Sequence, residues 1–182
     1  MRLDVECNAA HLGQTLFEKE PSYTSSVDCI CEYRNQHKYP FISVNVDILL
    51  CRGFHLMQKA IEDCLIMTKS CYNCKRNITC KNDYGSHLVI DTTVISDPGY
   101  PNTKNTIVPR LESLKKIIKV GQKTYMVAGV VHYSADKKHY ATYALMGEFW
   151  HKYDGLMKKR TSATPKTKIT PHLIVYAICN DR

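Results

Sequence analysis

Two sets of residues in this 182-residue chain have the types and spacing to do chemistry. The first is a pair of cysteine pairs, Cys29-Ile30-Cys31 and Cys71-Tyr72-Asn73-Cys74, with Cys80 close behind. Two thiolates held at one turn and facing two more at another make the sulfur tetrahedron that Zn²⁺ prefers. Only the second pair has the usual two-residue gap. The tighter first pair bends its turn awkwardly, so either the site is degenerate or Cys80 substitutes, and buried bystander thiols are the plain alternative. The second set is His139 and Asp154, which open one strand-like stretch and close the next. Antiparallel strands joined by a short turn would bring the two side chains together. An acid placed there orients the imidazole and stabilises its protonated form, as in a nucleophile, histidine and acid triad. Spacing alone fits better with an ordinary strand-end histidine and a turn built on Asp154-Gly155. His132 and His151, flanked by aromatic or aliphatic residues, read as structural.

The elements that must position these groups are uneven along the chain. Phe41 to Ile48 alternates apolar and polar residues, the period of a half-buried strand. Between Phe54 and Met67 the apolar positions Met57, Ala60, Ile61, Cys64 and Leu65 recur at three and four, which predicts a helix. A polar, cysteine-bearing stretch from Ser70 to Asn82 leads to a strand at His87 to Val94, and Asp97 to Asn102 has loop chemistry. Beyond it come strand patterns at Lys116–Val120, Thr124–Tyr133, His139–Leu145, Glu148–Tyr153 and Leu173–Cys179. Thr124–Tyr133 is apolar almost throughout, as a doubly covered central strand would be. Short turns between these strands favour antiparallel pairing. The fold class is therefore α+β, with one helix in the first half and a β-rich second half.

Composition bounds the function classes. Hydrophobic residues at 44% and charged residues at 23% exclude wholesale disorder and fibrous repeats. No apolar run approaches the roughly 20 residues of a membrane span, and Met1-Arg2-Leu3-Asp4 carries acid where a signal peptide is apolar. The expected location is intracellular, cytoplasmic or nuclear. Nine cysteines, an odd number without a secretory signal, argue for reduced thiols. Lysine and arginine outnumber acids 25 to 17, a net charge of +8 that suits an acidic partner. The basic, Thr-rich segment Lys158 to Lys168 is the obvious contributor, with Tyr153 and Tyr176 as nearby stacking groups. It reads as a solvated loop, so a basic zinc-knuckle nucleic-acid binder is the least favoured function and nucleic acid is not the expected partner.

Four stretches in order carry a resemblance: Val120 to Tyr133, His139-Tyr140-Ala141-Thr142-Tyr143, Trp150-His151-Lys152-Tyr153-Asp154, and Pro171 to Tyr176. Together they resemble the carboxy-terminal half of the ubiquitin-specific protease family. The two cysteine pairs, Ile42-Ser43-Val44 and the helix before Tyr72 resemble that family's finger region more loosely. The resemblance implies a papain-like cysteine protease domain with an antiparallel β-rich palm and fingers, lacking most of the helical thumb. It makes the chain one partial domain, finger-like over about 16–95 and palm-like over about 107–180. It implies His139 as general base, Asp154 as the acid that orients it, and Cys29, Cys31, Cys71 and Cys74 as ligands of a structural zinc.

The implied activity is cysteine-type deubiquitination, hydrolysis of isopeptide bonds at the ubiquitin carboxy terminus, with ubiquitin or a ubiquitinated protein as partner. The family's nucleophile sits in a Gly-X-Thr-Cys-type box at the start of a helix whose dipole lowers the thiol pKa. These residues contain no such box, and Cys7, followed by Asn8-Ala9-Ala10, lies too close to the finger cysteines to take that role. The isolated chain is thus expected to be inactive. A non-catalytic ubiquitin-binding pseudo-enzyme is the alternative. Lys138 stands where the His-Tyr box usually has Gly, and Gly155 replaces a common acid.

Overall fold

A computed structural model describes residues 9–65, 67–96, 108–157 and 159–179. Cys7 and the loop expected at Asp97 to Asn102 lie outside the described residues. The apolar run of the second half becomes β8 (Lys123–Ser134), the central strand of a seven-stranded sheet. β12 (Pro171–Ile178) pairs along one edge of β8. On the other edge β7 (Ile117–Val120) takes the first residues of β8 and β9 (His139–Met146) the last. The sheet continues through β10 (Phe149–Tyr153) to β11 (Thr161–Ala163) on one side, and to β6 (His87–Asp91) beyond β12 on the other. Every pairing within it is antiparallel. β8 and β9 approach closely at Gly129, where a Cβ would stand 2.9 Å from the Tyr143 carbonyl oxygen.

One face of this sheet carries the main core. Leu88, Ile90, Val130, Tyr143, Trp150, Ile174 and Tyr176 pack with residues of two helices, α2 (Val46–Arg52) and α3 (Met57–Glu62), and of the single 3₁₀ turn between them. Leu49, Phe54, Met57 and Ile61 from that layer are at most 1% exposed. Each such side chain contributes about 1.5–3 kcal/mol through burial. On the other face, Ala9 of α1 (Ala9–Leu16) packs with Val89 and Leu173, joined by Phe17, Phe41, Val131 and Tyr140. The observed class is α+β and mostly antiparallel β, as expected.

Two first-half expectations change. Phe41 to Ile48 forms no strand: Ile42 makes a single bridge to Ile90, and the chain turns helical at Val46. The alternation of apolar residues conceals a second period, because Val46, Leu49 and Leu50 stand at i, i+3 and i+4 and all three are buried. The helix expected from Phe54 is a 3₁₀ turn over Phe54–Leu56, and the α-helical part ends at Glu62.

The remaining elements form two small sheets. β1 (Tyr23–Asp28) lies between β2 (Arg34–Tyr39) and β5 (Lys81–Tyr84), and β3 (Thr68–Ser70) pairs with β4 (Asn77–Thr79) as a hairpin. Tyr23 stacks on Tyr39 with centroids 4.6 Å apart and leans on Tyr84 at 5.8 Å, a ladder of aromatic cross-strand pairs. No helix among the described residues is long and apolar enough to cross a membrane.

Candidate functional site

The cysteine pairs sit at two turns, one joining β1 to β2 and the other joining β3 to β4. In the first, the Glu32 amide donates to the Cys29 carbonyl at 2.9 Å and the Cys29 amide to the Tyr33 carbonyl at 2.9 Å. In the second, the Lys75 amide donates to the Cys71 carbonyl at 3.1 Å and the Cys71 amide to the Arg76 carbonyl at 2.7 Å. Each turn closes through a left-handed residue, Glu32 at φ 66° and Lys75 at φ 60°. The one-residue gap of the first pair thus shortens the same kind of closure by one residue. It does not abolish it.

All four sulfurs lie within 4.8 Å of one another, with Cys29 to Cys74 and Cys31 to Cys71 at 3.5 Å across the two turns. A tetrahedral site with Zn–S bonds of about 2.3 Å needs sulfurs roughly 3.8 Å apart, so the arrangement fits structural zinc. Cys80 is buried elsewhere and belongs to no such group among the described residues. The thiols themselves are in conflict. Backbone amides of Cys74 and Asn73, with hydrogen bonds from Cys31 and Cys29, lower Cys71 to about 6 against the opposing effect of burial. The Cys31 backbone amide favours the Cys29 thiolate, yet burial and contacts with the thiols of Cys31, Cys74 and Cys71 raise it to about 12. A second thiolate is disfavoured beside the first, and a divalent cation removes that conflict.

The hairpin of β9 and β10 brings His139 and Asp154 together. The last registered pair is Tyr153 with Thr142, so Asp154 continues beside Ala141 and lies diagonal to His139 on the same face. His139 Nε2 donates to Asp154 Oδ1 at 2.7 Å, with the two side chains 26% and 12% exposed. An ionised carboxylate only accepts, so the neutral ring carries its proton on Nε2 and presents the Nδ1 lone pair. Nδ1 has no hydrogen-bond partner among the described residues.

Sequence reasoning missed the second hold on Asp154. Lys152 donates to Oδ2 at 2.9 Å, and the Leu156 amide donates to Oδ1 at 3.1 Å. Lys152, then His139, then the Leu156 amide hold the Asp154 carboxyl well below the usual carboxylate range. The signal was present, since residues two apart on a strand share a face. Lys138, just before His139, takes the left-handed conformation at φ 46°. His132 is structural in its contacts, its Nδ1 accepting the Thr170 amide at 2.8 Å.

No protein-family model and no curated protein matches the sequence. Solved structures do resemble the fold. An essential yeast splicing factor is similar at TM-score 0.51 and 10% identity, covering 92% of this chain and 44% of that one. The SAGA Ubp8/Sgf11/Sus1/Sgf73 DUB module is similar at TM-score 0.47 and 16% identity, covering 89% of this chain and 38% of that one. The Ubp8 module bound to monoubiquitin stands at TM-score 0.46 and 16% identity, covering 88% of this chain and 40% of that one. This chain spans less than half the length of each. The likeness to the splicing factor concerns the fold alone.

Proposed function

We propose that the chain is a ubiquitin-recognising module on the palm-and-fingers frame of a cysteine-type deubiquitinase. The seven-stranded sheet is its palm, and the two small sheets with the cysteine turns are its fingers. The single observation that carries this reading is the 2.7 Å hydrogen bond from His139 to Asp154 across the β9–β10 hairpin, at the two positions the family resemblance names. The four-cysteine cluster adds to it.

In this reading Asp154 fixes the tautomer and Nδ1 of His139 is the site at which a proton is taken up and returned. Zinc, when bound, cross-links the two finger turns through Cys29, Cys31, Cys71 and Cys74 and takes no part in bond cleavage. Base and acid alone do not cleave an isopeptide bond, because acyl transfer needs a thiolate and donors for the oxyanion. The chain contains no nucleophile box, so recognition without turnover is its expected behaviour. Incubation with a ubiquitin fluorogenic ester tests this. No turnover above a His139→Ala control is expected, and turnover abolished by replacing one of the chain's own cysteines would show that it carries a nucleophile after all.

A further inference from the structure

The four cysteines of the finger turns are placed to bond to one another as well as to a metal. Cys29 Sγ lies 3.5 Å from Cys74 Sγ and Cys31 Sγ 3.5 Å from Cys71 Sγ, each contact running from the β1–β2 turn to the β3–β4 turn. A disulfide needs its sulfurs about 2.05 Å apart, so each pair has roughly 1.5 Å to close. The turns hold the thiols in this opposition. The Cys29 amide bonds the Tyr33 carbonyl and the Cys71 amide the Arg76 carbonyl, which fixes the backbone at the first cysteine of each turn. The two turns also touch outside the cluster, with the Tyr33 and Tyr72 rings 6.2 Å apart.

Bonds within one turn are the competing arrangement. Cys29 and Cys31 have a single residue between them, and a bond there closes a small ring that works against the relaxed disulfide dihedral. If Cys71 bonded Cys74, that strained pair would be what remained. Crossed bonds use all four sulfurs where they already touch. The cluster is also open to small oxidants. Cys29, Cys31 and Cys74 are partly exposed, and Ile30 and Tyr72 beside them are 81% and 74% exposed.

We propose that this cluster is a redox site in which a hydroperoxide exchanges the zinc for two crossed disulfides, Cys29–Cys74 and Cys31–Cys71. In each pair one thiolate attacks the peroxide, the O–O bond breaks, and a sulfenic acid forms with loss of one water after protonation. The facing thiolate then attacks that sulfur, the S–O bond breaks, and the second oxygen leaves as water. Four zinc-bound thiolates, two molecules of hydrogen peroxide and four protons thus become two disulfides, four waters and free Zn²⁺. Both states tie the same two turns together. The bonds join residues 45 and 40 positions apart, intervals long enough for a cross-link to restrict the unfolded chain. Oxidation therefore expels the metal and leaves the fingers joined. The inference rests on the reading of the four cysteines as one cluster and is independent of ubiquitin recognition.

Titration of the reduced, zinc-loaded chain with hydrogen peroxide tests it, with zinc release read by a chelating dye and sulfur pairing by mass spectrometry of alkylated tryptic peptides. Cleavage after Lys19, Arg34, Lys69 and Lys75 puts each cysteine pair on its own peptide, so crossed bonds join the two peptides and within-turn bonds leave them apart. About one zinc released per two peroxides is expected, together with joined peptides and recovery of the zinc-loaded chain on adding dithiothreitol and zinc. The Tm of the oxidised chain should exceed that of the zinc-stripped, reduced chain by on the order of 5–10 °C. Cys31→Ser, Cys71→Ser should still join the peptides through Cys29–Cys74, and Cys29→Ser, Cys74→Ser through Cys31–Cys71. Three results overturn the proposal: zinc kept at roughly tenfold excess peroxide, separate peptides carrying within-turn disulfides, or sulfinic acids in place of disulfides. A chain that purifies without zinc and still forms the crossed bonds would count against the metal and for the redox pairing.

Discussion

His139 and Asp154 are separated by 15 residues and meet at 2.7 Å because β9 and β10 fold back on one another. Asp154 is held from three sides, by Lys152, His139 and the Leu156 amide. Its carboxyl therefore ionises well below the unfolded value of about 3.9. A carboxylate whose folded pKa is depressed contributes stability that is complete above the unfolded value and is lost as pH falls through the folded one. Asp154→Asn is expected to lower the Tm at neutral pH and to make the acid-side decline of Tm shallower than in the parent. Parallel acid-side declines in parent and variant would mean that the three contacts do not stabilise the carboxylate.

The cysteine cluster predicts a metal stoichiometry. Protein purified without chelator should contain close to one zinc per chain by elemental mass spectrometry, because one set of four thiols fits one ion. Cys71→Ser and Cys74→Ser should lose it and lower the Tm by on the order of 10 °C. Cys51→Ser, at an exposed thiol outside the cluster, should keep it. Retention of zinc by Cys74→Ser together with its loss from Cys80→Ser would place Cys80 in the ligand set.

Lys138 occupies a left-handed turn at φ 46° immediately before His139. A non-glycine residue there carries a strain of roughly 1–2 kcal/mol, against which glycine loses about 0.5–1 kcal/mol more in chain entropy on folding. Lys138→Gly is therefore expected to be neutral or to stabilise by up to about 1 kcal/mol. Lys138→Ile, β-branched, should destabilise by about 1–2 kcal/mol. Urea midpoints measure both, and a destabilised Lys138→Gly would mean that the lysine side chain itself holds the turn.

The strands of the large sheet were legible because their composition and the turns between them agree: Thr124–Tyr133 is apolar almost throughout and His139–Leu145 lies between the polar stretch Ser134–Lys138 and Gly147, and both appear within a residue or two of the expected bounds. The small sheets were not. Tyr-Thr-Ser-Ser-Val-Asp and Arg-Asn-Gln-His-Lys-Tyr carry too few apolar residues to show a face, and their strands are set by an aromatic ladder and by the cysteine turns they frame. The cysteine turns were visible as spacing, but the choice among Cys31, Cys71, Cys74 and Cys80 needed the fold that brings them together. Phe41 to Ile48 misled because the residues from Val46 onward satisfy both a strand and a helix period, and burial of Leu49 and Leu50 against the sheet decides for the helix. Lys152 escaped because its role is defined by the oxygen of Asp154 that His139 leaves free.

Ubiquitin recognition is the behaviour on which the proposed function rests. Titrating the zinc-loaded chain into isotopically labelled ubiquitin, followed by NMR, should give localised, saturable shifts with a Kd on the order of 100 µM. The same titration with Cys71→Ser, whose finger turns have lost their cross-link, should give weaker shifts at the same ubiquitin residues. Ubiquitin spectra unchanged at roughly millimolar concentrations of the folded, zinc-loaded chain would contradict the account.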